Sequence, residues 1–214
     1  MIANKFFTAI LVLFCFGLAS LSNSHAEIVE GRDYTVLTNP QPTLKDDSIE
    51  VIEFFWYGCP HCNHLHPHIK AWLETIPDDV YFSFIPGILR SNWVSGAKIF
   101  YAMATMGATE ILHDRVYDAI HRDKINLANE SVLFDWVEKQ GVEREKFENA
   151  YKSFAVQNHV AKSTQMTRQY QLTGVPALVI DGRYMTSGKR GGTPQETIMI
   201  LEKIIDKVRK ERNQ

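Results

Sequence analysis

Val51-Ile52-Glu53-Phe54-Phe55-Trp56 runs through Tyr57-Gly58 into Cys59-Pro60-His61-Cys62, and a helix-like segment follows. This order of strand, Cys-x-x-Cys and helix decides the fold class. The aromatic and β-branched residues of 51–56 favour extended backbone. Beyond the cysteines, Leu65, Ile69, Trp72 and Ile76 recur at helical spacing and predict one buried face. Pro67 falls inside that helix and is expected to kink it, because its ring removes a hydrogen bond and crowds residue 63. Two thiols then stand at a helix N-terminus, where unpaired N–H groups and the macrodipole favour negative charge. Thiolate is the reactive form of cysteine, so the segment reads as a dithiol–disulfide centre.

The chain has three cysteines. Cys15 lies in a leader that carries Lys5, an apolar stretch from Phe6 to Ala19 and the small-residue ending Ser24-His25-Ala26. That is the layout of a cleavable signal peptide spanning 1–26. The apolar stretch is short of the roughly 20 residues that span a bilayer, which argues against a retained anchor. Phe14 before Cys15 argues against a lipid-attachment site, which wants a small residue there. Cleavage leaves Cys59 and Cys62 alone in an oxidising compartment. A domain of this size needs no disulfide staple, so the pair is read as a working pair. Net charge is only −2, and no basic cluster is interleaved with aromatics, so nucleic acid is excluded as a partner.

Outward from the motif, the chain divides into three parts. Residues 27–89 hold a short strand at 34–37, the strand at 49–56, the Cys-x-x-Cys helix and a strand at 80–85, which together predict a βαβ unit. Residues 90–170 have almost no strand signal. Ala97–Met106, Ile111–His121, Ser131–Gln140 and Glu143–Phe154 read as helices of an inserted domain, with no repeat period. Residues 171–214 return to strands at 177–180 and 183–185 around Asp181-Gly182. Thr193-Pro194-Gln195-Glu196 is a capping box with proline at the first helical position, and Ile198, Leu201, Ile205 and Val208 stripe the final helix. The fold class is α/β: a mixed sheet flanked by helices, interrupted by an all-helical insert.

Phe54 to Cys62, the order of elements and the late Thr173-Gly174-Val175-Pro176-Ala177 resemble the thioredoxin superfamily, and within it the DsbA family of periplasmic thiol oxidases of Gram-negative bacteria. The resemblance covers nearly the whole chain after the leader. It implies that Cys59 is the exposed nucleophile and Cys62 the buried resolving thiol. It also implies that Pro176 is cis against the disulfide, with Val175 offering backbone groups to an extended peptide. No cofactor is implied beyond the Cys59–Cys62 disulfide. Implied partners are reduced, newly exported polypeptides and a membrane reoxidant of the DsbB type, for a periplasmic protein expected to be a monomer.

The residues support the same chemistry independently. As an N-cap, Cys59 sulfur accepts hydrogen bonds from following N–H groups, including that of Cys62. Pro60 suits the first turn, where it has no helical bond to lose. His61 adds a charge or an N–H donor beside the sulfur, and all of these lower the Cys59 pKa; the DsbA family is itself a standard example of such an effect. Glu53 interrupts an apolar strand. It is either a residue on a solvated face or, as the resemblance implies, a buried carboxylate that handles the Cys62 proton. Family members in enteric bacteria place a lysine on the neighbouring strand, whereas Phe84 aligns there in this chain. Alternatives are a reductase or isomerase of the same superfamily and a metal-handling protein using His61, His64, His66 and His68. No room remains before residue 49 for the dimerisation domain common in isomerases. A missing second cysteine pair and the Pro67 distortion weigh against a metal.

Overall fold

All seven residues of Ile49–Phe55 (β2) are buried, so this strand is covered on both faces and reads as a nearly continuous apolar run instead of an alternation. The computed structural model describes residues 27–45 and 47–213. The leader at 1–26, with Cys15, lies outside the described residues. β2 pairs in parallel with Val80–Pro86 (β3) and antiparallel with Ala177–Ile180 (β4). Thr35–Val36 (β1) and Tyr184–Ser187 (β5) complete a five-stranded sheet in the order β1-β5-β4-β2-β3. The β4–β5 turn requires left-handed backbone at Asp181 and Gly182. A Cβ at Gly182 would stand 2.0 Å from the Gln41 carbonyl oxygen, so only glycine fits.

Pro60–Leu73 (α1) connects β2 to β3, with Pro67 inside the helix. Its buried residues Cys62, Leu65, His66, Ile69 and Trp72 keep the helical spacing that the sequence predicts. Ile76 falls past the helix end and packs from the connection. On this face of the sheet Val51 meets Leu65, Ile69 and Trp72, together with Leu201, Ile204 and Val208 of Pro194–Arg212 (α8). Ile52 and Phe54 face the other way, onto Tyr170, Leu172 and Val179. The capping box of α8 is complete, with Thr193 accepting from the Glu196 N–H and Glu196 accepting from the Thr193 N–H.

Between β3 and β4 stand Val94–Thr105 (α2), Thr109–His121 (α3), Glu130–Lys139 (α4), Arg144–Lys152 (α5) and Phe154–Gln169 (α6). A one-turn helix at Gly188–Gly191 (α7) precedes α8. The sequence predicts the first four of the inserted helices but not α6. Its buried positions are Val156, Ser163 and Thr167, so it carries no apolar stripe to find. Ser153 caps it and forces the break from α5, its side chain accepting from the Val156 N–H. The largest core cluster joins Phe55, Tyr57, Cys59 and Cys62 to the helical region through Phe100, Leu112, Val116 and Tyr117. The cysteines therefore lie at the seam between the sheet and the helices.

Candidate active site

The strand end determines how Cys59 is presented. After Phe55 the Trp56 ring folds back across Gly58 and stacks on Trp93, with centroids 4.3 Å apart and planes 3° from parallel. A Cβ at residue 58 would lie 2.3 Å from the Trp56 ring. The Cys59 N–H donates to the Trp56 carbonyl at 2.9 Å, closing the turn. Cys59 is then the N-cap of α1, in extended conformation, and its Sγ accepts from the Cys62 N–H at 3.5 Å. Pro60 occupies the first helical turn.

Both cysteines are free thiols in this structure. Cys62 is fully buried, and Cys59 is 8 % exposed, so it is not the open thiol that the resemblance implied. The loop at Val175–Pro176 explains the difference. It lies against the sulfur, with Cys59 Sγ 3.4 Å from the Val175 carbonyl oxygen, and the Val175–Pro176 peptide bond is cis.

The two thiols are driven apart electrostatically. Cys59 falls from its ordinary 9.0 to about 6. The hydrogen bond from the Cys62 thiol is the largest cause, and it outweighs burial. The N–H groups of Cys62 and His61 add to it, and the His61 charge contributes least. Cys62 moves well above its ordinary value, through burial first, then its bond to Cys59 and the negative charges of Glu53 and Cys59. One sulfur is a stable thiolate and the other a reluctant one.

Glu53 is 1 % exposed, which overturns the solvated-face alternative. Residues two apart share a strand face, so Val51, Glu53 and Phe55 point together toward α1. Burial, and after it the Cys59 charge, raises the Glu53 carboxyl to about 8. Phe84 is its register partner on β3, where no cation can therefore pair with it. Glu53 Oε2 has no hydrogen-bond partner among the described residues.

The histidines separate into different roles. His61 is exposed and borders a groove of about 310 Å³ with Val36, Tyr170, Val175 and Pro176. His64 and His68 face a second cleft, whereas His66 is buried and bonded to Asp114. Among the described residues no group of three or more His, Cys, Asp or Glu side chains is placed to hold a metal ion.

Sequence reasoning missed the contacts from α3. His113 Nδ1 meets the Tyr57 hydroxyl at 2.6 Å, His121 Nε2 meets the Tyr57 carbonyl at 2.7 Å, and Asp114 bonds both His66 and Lys70. Tyr117 packs beside them. Isolated polar residues on an amphipathic helix give no signal of their partners, which only the fold supplies.

The family described as DSBA-like thioredoxin domain matches residues 63–197. The thiol:disulfide interchange protein DsbA of Pseudomonas aeruginosa is 34 % identical over 207 residues, covering 96 % of this chain and 97 % of that one. The protein of that name from Pseudomonas syringae pv. tomato is 35 % identical over 193 residues, 90 % of each chain. A crystal structure of Pseudomonas aeruginosa DsbA superposes with a TM-score of 0.84 at 34 % identity, covering 87 % of this chain and 97 % of the other.

Proposed function

The chain belongs to the DsbA-like thioredoxin family and is a thiol:disulfide oxidoreductase of oxidative folding, and on that premise we propose that Cys59 and Cys62 form the disulfide it donates. A substrate thiolate attacks the Cys59 sulfur, the Cys59–Cys62 bond breaks, and Cys62 leaves as a thiolate that takes up one proton. A second substrate thiolate then attacks the substrate sulfur of the mixed disulfide. The substrate disulfide forms, Cys59 departs as a thiolate, and two electrons have passed to the enzyme.

The observation that carries this reading is the asymmetry of the thiols. A leaving group that titrates at about 6 is ionised at neutral pH, which favours the reduced enzyme and drives the disulfide outward. Pro60 starts the helix that stabilises this thiolate, and His61 adds its N–H and charge. Val175 and Pro176 border the groove beside the sulfur, where an extended peptide gains backbone partners. Glu53 exchanges the Cys62 proton. No cofactor beyond the disulfide is required. The protein acts in the periplasm on reduced exported polypeptides, after removal of residues 1–26, and a membrane partner of the DsbB type reoxidises it. Residues 90–170 form a helical domain inserted between the two parts of the thioredoxin-like domain, 27–89 and 171–214.

Equilibrating the mature protein with glutathione buffers tests the direction of transfer. A potential well above the glutathione couple is expected. A value near that of thioredoxin would overturn the donor reading in favour of a reductase.

A further inference from the structure

We propose that His66 and His113 carry protons between the buried Glu53–Cys62 pair and solvent at Asp114. This rests on Cys62 being the resolving thiol, which must lose its proton each time the disulfide closes and regain one each time it opens.

Cys62 and His66 are four residues apart on α1 and share its buried face. That face lies on the side of β2 that carries Glu53. Helix α3 closes the space from above. The His66 and His113 rings are 4.6 Å apart, Tyr117 is 5.0 Å from His66, and Phe84, register partner of Glu53, is 4.8 Å from His113.

Each histidine is half-satisfied. His66 Nε2 bonds Asp114 Oδ1 at 2.7 Å and His113 Nδ1 bonds the Tyr57 hydroxyl at 2.6 Å. His66 Nδ1, His113 Nε2 and Glu53 Oε2 are buried without a partner among the described residues. A buried orphan costs about 1–3 kcal/mol, so three around one seam call for a reason. The tautomers supply it. Asp114 accepts the Nε2 proton of His66, which leaves Nδ1 a bare acceptor. A Tyr57 hydroxyl donating to His113 Nδ1 leaves the Nε2 proton of His113 unspent. The unspent donor and the bare acceptor sit on adjacent rings but are not bonded to each other, so the path Tyr57–His113–His66–Asp114 has one gap, between His113 Nε2 and His66 Nδ1. The proposed relay requires a water in that gap and toward Glu53, for which the three orphaned polar atoms would be the partners.

The outer end is open. Asp114 also pairs with Lys70, and a cleft of about 410 Å³ lined by His66, Asp114 and Tyr117 leads to the surface. The titratable groups facing the chain are Cys62 and Lys70 from α1, Glu53 from β2, Tyr57 from the loop, and Asp114, Tyr117 and His121 from α3. In closure, Glu53, neutral up to about pH 8, first releases its own proton through the relay and then takes up that of Cys62. The Cys62 sulfur attacks Cys59 Sγ, and the oxidant's thiolate is expelled.

Rapid mixing of reduced protein with glutathione disulfide separates the steps. Cys59 thiolate first forms a mixed disulfide without proton transfer. Closure by Cys62 then releases one proton and a second glutathione thiolate. In His113→Phe and His66→Gln, closure is expected to slow ~10- to 100-fold, with a changed pH profile between 6 and 9. Iodoacetamide alkylation of Cys59 should be unchanged, since neither ring is among the groups that set its titration. Asp114→Asn, at the half-exposed outer end, should also slow closure and stands in if a buried variant fails to fold. Closure at the wild-type rate in these variants overturns the relay, as does an equal change in alkylation, which would mark altered packing. A wild-type protein that never closes, or a Cys62→Ser variant that does, would instead remove the resolving role of Cys62.

Discussion

Raising the pH should stabilise the reduced protein relative to the oxidised one, and one sulfur sets the size of the effect. Cys59 titrates at about 6 in the fold against an ordinary 9.0. Between those values the unfolded chain binds the proton and the folded one does not, so stability rises with pH. The contribution is complete above about 9 and disappears as the pH falls through 6. Its slope is about 1.4 kcal/mol per pH unit, or about 4 kcal/mol across the window. At pH 7, one unit above the folded value, about 1.4 kcal/mol is present, equivalent to roughly 30 mV for a two-electron couple. Glu53 acts in the opposite direction. Its folded value is raised to about 8, so the stability linked to it is present below 4.5 and lost as the pH rises through 8. Desolvation dominates that shift and operates in both redox forms, so subtraction removes most of it. Guanidinium unfolding of both forms at half-unit steps from pH 5 to 9 measures the difference directly. A difference that stays flat between pH 6 and 9 would refute the thiolate account, whatever its absolute value.

The causes acting on Cys59 predict an order of effects. Cys62→Ala removes the largest cause and should raise the Cys59 titration further than His61→Ser, which removes a charge of least weight; alkylation rates against pH would show the reverse order if His61 were dominant. Glu53→Gln keeps the shape of the neutral acid, so the oxidised variant should gain about 1.4 kcal/mol per pH unit over wild type between pH 5 and 8. Parallel stability curves would contradict the buried-acid assignment. Gly58→Ala forces a Cβ into the Trp56 ring and should cost about 1–3 kcal/mol, with loss of the near-ultraviolet signal of the Trp56–Trp93 stack. An unchanged melting temperature would show that the ring moves freely.

Most of the sheet was legible because local chemistry and global fold agree there. The strand at 49–55, the cap at Cys59 and the box at Thr193–Glu196 each depend on neighbours within four residues. α6 was not legible, since Ser163 and Thr167 are buried for reasons held on other elements: Ser163 meets Tyr101 and Thr167 accepts from the Ile88 N–H. The place of Phe84 beside Glu53 was legible only through the family resemblance, while Tyr57–His113 and His66–Asp114 join residues 56 and 48 positions apart. Periodicity carries no information about such pairs.

That division has a chemical consequence. The Cys59 thiolate is set mostly within one turn of α1, with the Val175–Pro176 loop brought against it from 116 positions away. The buried side of Cys62 is non-local, because any proton leaving it must cross the seam between sheet and helices. With Phe84 beside Glu53, the cheapest charge state for that acid is the neutral one up to about pH 8. Its proton is therefore available when Cys62 leaves as a thiolate, and must be replaced from solvent before the next cycle. The helices over the cysteines thus do more than cover apolar surface: α3 brings His113 and His121 onto Tyr57 and Asp114 onto His66, at the edge of the cleft that His66 and Asp114 line.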